Sequence, residues 1–72
     1  MEFQSRDIDL ETFVRQYALM IFDHRALQLG LLLASGDSMK EALLLSCHND
    51  VALIGPAIDE LQRVGFLREK KS

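Results

Sequence analysis

The chain has 72 residues, a hydrophobic fraction of 49%, a formal net charge of -3 and one cysteine. That length allows one domain with a thin core, excludes an internal disulfide, and puts the apolar content near the upper end for a soluble fold. The acidic balance argues against a partner held by bulk attraction to phosphate.

Residues 1–7 are polar and are expected to be disordered, outside the domain core. The first residues carry Glu2, Arg6, Asp7 and Asp9, so no signal peptide is expected. The longest apolar run, Leu29 to Ala34, falls far short of the roughly 20 residues of a membrane span. A lone cysteine fits a reducing compartment. The expected location is cytoplasmic.

An extra N-terminal helix is expected over 9–22. Asp9 suits its N-cap, and Ile8 with Phe13 can form a hydrophobic staple. Leu10, Phe13, Val14, Tyr17, Ala18 and Ile21 recur at spacings of three and four along one helical stripe. The stripe then meets the polar His24, Arg25 and Gln28, so a break is expected near Asp23, which caps a second helix from His24 to about Ser35. Leucines fall on nearly every side of that helix, as in a central, buried one. Gly30 inside it costs about 1 kcal/mol of propensity relative to alanine, which close approach by a neighbouring helix would explain.

Gly36 supplies the C-terminal stop, and Ser38 with Glu41 opens a third helix through a capping box. That helix runs from Met39 to about Ser46, with Met39, Ala42 and Leu43 inward and Leu45 a further candidate. Cys47, His48, Asn49 and Asp50 read as a tight polar turn. A fourth helix carries Val51, Ile54, Ile58, Leu61 and Val64 at helical spacing and closes at Gly65. On this reading Ile58→Asp should unfold the domain, because it buries an unpaired charge. Pro56 would be strained inside a helix that starts at Val51, whereas a helix opening at Pro56 after a Gly55 cap carries no such strain. The sequence favours the second arrangement, with a short turn over Val51 to Ile54. Phe66 and Leu67 look like the start of a strand, and 68–72 is a polar, basic tail.

From Arg25 to Leu67 the order is a leucine-rich helix, a glycine stop, a short capped helix, a turn, and a helix ending with Leu61, three variable residues, Gly65, Phe66 and Leu67. This resembles the winged helix-turn-helix superfamily of bacterial and archaeal regulators, with Ile54 and Ile58 at two apolar core positions. The fold class expected is therefore mostly α: four short helices, a helix-turn-helix core over 24–67, an added N-terminal helix, and a wing that is rudimentary or missing. The family's wing needs a second strand, for which only Arg68 to Ser72 remain. Added terminal helices in the family often make dimers.

The resemblance implies that bases would be read by Leu53, Gly55, Pro56, Asp59 and Glu60. Major-groove reading needs donors such as Arg, Lys, Asn or Gln, and phosphate anchoring needs cations. This face offers carbon and carboxylates, with Asp50 adding charge at the entrance. In the simplest reading the acids interact with the helix dipole. Under a DNA-binding alternative, Arg63, Arg68, Lys70 and Lys71 would touch the phosphate backbone, or Arg15, Arg25, Lys40, Arg63 and Lys70 would form a basic stripe.

Cys47 and His48 are adjacent, but sequence neighbours seldom point at each other as a catalytic pair must. With His24 they are too few for a metal site. Cys47 reads as a small hydrophobe and both histidines as polar surface or turn residues. No glycine-rich phosphate loop follows a strand. No enzyme activity, cofactor, metal, small-molecule ligand or membrane partner is expected.

Phe13, Val14, Tyr17, Ile21 and Phe22 form a wide apolar surface that either packs on the other helices, pairs with a second chain, or does both at opposite edges. The expected function is a non-catalytic protein-interaction or dimerisation module, within a regulatory system. The alternative is a small DNA-binding transcriptional regulator or a fragment of one.

Overall fold

A computed structural model describes residues 3–5, 8–47 and 51–69, with backbone alone at 3–5, 47 and 51. The described chain is mostly helical. In order it forms β1 (Phe3–Ser5), α1 (Leu10–Gln16), a single 3-10 turn (Ala18–Met20), α2 (His24–Ala34), α3 (Met39–Cys47), α4 (Val51–Arg63) and β2 (Leu67–Glu69). No described helix is long and apolar enough to cross a membrane.

Local signals set the helix ends. The Asp9 carboxylate accepts from the Thr12 N–H at 2.7 Å, and that of Asp23 accepts from Arg25 and Ala26 at 2.9 and 3.0 Å. The Ser38 hydroxyl accepts from the Glu41 N–H at 3.2 Å. These bonds satisfy first-turn donors that have no partner within their own helix. Both glycine stops are Schellman motifs. Gly36 sits at φ 104°, and Asp37 N–H reaches back to the Leu32 carbonyl while its own N–H reaches Leu33. Gly65 sits at φ 88°, with Phe66 N–H on the Leu61 carbonyl and Gly65 N–H on Gln62. The hydrophobic contact that accompanies this motif is here between two fully buried side chains, Leu61 and Phe66.

α2 is the central element and packs against α1, α3 and α4. Its Ala26, Leu29, Gly30 and Leu33 are buried. Phe13 from α1 lies 4.8 Å, centroid to centroid, from Phe66 at a steep 66° angle, and Tyr17 flanks Phe66 at 5.8 Å. These edge-on contacts fill the space between α1 and the end of α4. A Cβ at Gly30 would lie 2.6 Å from Cε2 of Phe13 and 3.1 Å from Leu61, so this glycine is what lets α1 and α4 close over α2.

Four sequence expectations are corrected. The segment 1–7 contains β1, whose Phe3, Gln4 and Ser5 pair antiparallel with Glu69, Arg68 and Leu67. The strand that follows α4 thus finds its partner at the opposite end of the chain, and Arg68 of the supposed tail lies in it. The helix over 9–22 ends at Gln16: Met20 N–H bonds the Tyr17 carbonyl at 2.9 Å in the 3-10 turn, and Ile21 is extended at φ -99°, ψ 113°.

Pro56 lies inside α4, which is continuous from Val51 to Arg63. Much of the clash between a proline ring and the residue before it falls on that residue's Cβ, and Gly55 has none. Finally, the deepest residues of α4 are Ala57 and Leu61, with Ile58 only partly buried against the core.

Candidate functional site: an apolar edge clamped to the last helix

The stripe expected as an interface divides in two. Phe13, Tyr17 and Ile21 are core residues. Val14 and Phe22 are exposed. The geometry of α1 accounts for the first division. Phe13 and Tyr17, four residues apart, share the face turned to α2, whereas Leu10 and Val14 share the shoulder beside it and remain nearly half exposed. The second division arises at the 3-10 turn, whose tighter winding changes the phase of the pattern. Ile21 is carried inward, while Leu19 and Phe22 are left 87% and 86% exposed, with Met20 at 43%. Leu10, Leu19 and Met20 therefore belong to this outer edge, although periodicity read as one unbroken helix did not select Leu19 or Met20.

The break between α1 and α2 also leaves backbone groups that no helix can pair, and buried or half-buried groups of that kind need partners. α4 supplies them. Phe22 N–H donates to Oε1 of Glu60 at 3.2 Å, and Nη2 of Arg63 donates to the Met20 carbonyl at 2.9 Å. Arg63 also donates to Glu60 through Nε at 3.1 Å and through Nη2. Its guanidinium stands 5.9 Å from the centroid of the Phe22 ring, within range of a cation–π contact. The Arg63 hydrogen bonds, followed by the Phe22 N–H, hold the Glu60 carboxyl below its ordinary range.

This arrangement alters the expected recognition face. Gly55, Pro56 and Asp59 are exposed, as the helical pattern implies, but Leu53 is half-buried. Glu60 is not an outward acid: its side chain is only 17% exposed and engages Arg63 and Phe22. Because α4 begins at Val51, neither Asp59 nor Glu60 lies in its first turn, and the dipole account does not apply to them. Arg63, expected as a phosphate contact in the DNA-binding alternative, is tied to Glu60 and Met20. Arg15 pairs with Glu11 on the exposed side of α1. Lys40 and Arg68 are exposed and Arg25 is half-buried. Lys70, Lys71, His48, Asn49, Asp50 and the Cys47 side chain lie outside the described residues.

Two other surfaces bear on chemistry. A shallow depression is lined by Asp23, His24, Arg25, Gln28 and Ser46. Within it the Asp23 carboxylate is already the α2 cap, and the nearly buried Ser46 hydroxyl reaches the Leu43 carbonyl at 3.5 Å. Among the described residues, no group of three or more His, Cys, Asp and Glu side chains is placed to hold a metal ion. On α3, Leu44 and Leu45 form a second exposed apolar pair, so Leu45 does not join Met39, Ala42 and Leu43 on the inward face.

Compared with protein-family models, curated proteins and solved structures, the chain finds no match.

Proposed function

We propose that this chain is a non-catalytic protein-interaction module that self-associates through the apolar edge from Leu10 to Phe22. The observation that carries this reading is the near-complete exposure of Leu19 and Phe22 beside a core that already has Phe13, Tyr17 and Ile21. Isolated exposed apolar residues are ordinary, but five large ones along a single short stretch are the kind of surface a partner covers.

Charge favours a second copy as that partner. Glu11 and Arg15 run along the outer margin of the α1 shoulder. Two such helices meeting antiparallel about a two-fold axis would set each Glu11 against the other chain's Arg15, a self-complementary arrangement. A winged helix-turn-helix ancestry remains part of this proposal: the core would serve as scaffold, with the α4 face poor in donors for bases.

Sedimentation velocity over a wide concentration range tests the reading. The expected result is a monomer–dimer equilibrium that Leu19→Ser with Phe22→Ser shifts to monomer, with helical content retained and a melting temperature that no longer rises with protein concentration. A strict monomer at the highest concentration would overturn it. Random duplex DNA titrated at low salt provides the opposing test, since binding that weakens steeply with salt would favour the DNA-binding alternative.

A further inference from the structure

Phe22 follows the extended Ile21 between the 3-10 turn and α2 and is 86% exposed. A side chain in such a place ordinarily loses rotamer freedom when a partner covers it, which weakens binding. Here its backbone is tied to α4, and a guanidinium stands beside its ring. Glu60 accepts from the Phe22 N–H at 3.2 Å, Arg63 holds the preceding Met20 carbonyl at 2.9 Å, and the Arg63 guanidinium lies 5.9 Å from the ring centroid. Glu60 and Arg63 are joined to each other and fixed on the last turn of α4, whose Leu61 is fully buried. A tie whose sole role was to stabilise the monomer would gain more by drawing the aromatic ring into the core. This one leaves it facing solvent.

We infer that Glu60 and Arg63 are positioning residues, holding Phe22 outward as a fixed anchor for a second copy of this chain. The inference rests on the proposed role of the Leu10–Phe22 edge and adds the mechanism of its presentation. Arginine is enriched among the residues that dominate interface energetics, and pre-organisation of a large apolar anchor beside it raises affinity without new contacts. It also assigns Arg63 to the protein interface instead of a phosphate backbone.

The test measures self-association by sedimentation equilibrium alongside hydrogen exchange at the Phe22 amide. Glu60→Ala should speed that exchange and weaken the dimer about tenfold, with the remaining core amides unchanged. Glu60→Gln keeps an acceptor for the Phe22 N–H and should recover most of the affinity. In the background of Phe22→Ala, the Glu60→Ala change should have no further effect on association, a non-additivity that a general loss of stability would not produce. A Glu60→Ala dimer as tight as the wild type, with the Phe22 amide freed, overturns the positioning role while leaving the dimer reading intact. A strictly monomeric wild type overturns both.

Discussion

Phe13 lies over Gly30 so closely that a methyl group on the glycine would lie 2.6 Å from the ring's Cε2 atom. A glycine in a helix interior weakens it by about 1 kcal/mol relative to alanine. In this fold that weakness is offset by the contact it permits between α1 and α2, with Leu61 of α4 closing from the other side.

Gly30→Ala should therefore destabilise the domain despite improving helix propensity. Phe13 is fully buried and cannot swing aside, so overpacking by about 1–3 kcal/mol outweighs the propensity gain. The melting temperature should fall by several degrees. Phe13→Leu shortens the opposing side chain, and the double variant should lose less than the sum of the two single changes. A Gly30→Ala protein more stable than wild type would show that α1 does not press on α2 as described.

The two apolar positions on α4 separate a core residue from a flank. Leu61→Ala should cost about 3–4 kcal/mol, and Ile58→Ala about 1–2 kcal/mol because Ile58 is only partly buried. Chemical denaturation of both variants checks the order. For the same reason Ile58→Asp should be milder than Leu61→Asp, since a carboxylate at the flank can reach water.

Gly55 and Pro56 yield a change of sign. With Pro56 present, Gly55→Ala puts a Cβ against the proline ring and should destabilise α4. Once Pro56→Ala has removed the ring, the same glycine substitution should stabilise the helix by up to about 1 kcal/mol, since nothing else lies within 4 Å of the added carbon. A four-member thermal denaturation cycle reads the coupling directly.

The clamp on Phe22 should be sensitive to acid. Arg63 first, and the Phe22 N–H second, keep the folded-state Glu60 carboxyl below its ordinary value of 4.5. A group depressed in the folded state contributes stability above its unfolded value and loses that contribution as pH falls through the folded one. The melting-temperature advantage of wild type over Glu60→Gln should therefore be full at neutral pH and shrink on acidification below the carboxylate range. Asp9, also depressed through its Thr12 hydrogen bonds, is common to both proteins and cancels in the difference. An advantage unchanged by acid would mean that the clamp does not depend on the carboxylate's charge.

Much of this architecture follows from local chemistry. Asp9 and Asp23 start helices because a short carboxylate can reach first-turn N–H groups, and Gly36 and Gly65 end them because both require positive φ. Those interactions span a few residues, so they are legible in order along the chain, as are the leucine-rich character of α2 and the need for a small residue at Gly30.

The tertiary structure alone decided which apolar side chains occupy the core. A periodic stripe shows that a face is apolar, but not which of Phe13, Val14, Tyr17, Ile21 and Phe22 fit a core that closes around Phe66, nor that the winding changes after Tyr17. It also decided the fate of Glu60 and Arg63, whose partners Phe22 and Met20 lie 38 and 43 positions away in the chain, and paired Phe3–Ser5 with Leu67–Glu69 across nearly its whole length. Contacts over such separations depend on how helices pack, and packing is a property of the assembled chain that no local window contains.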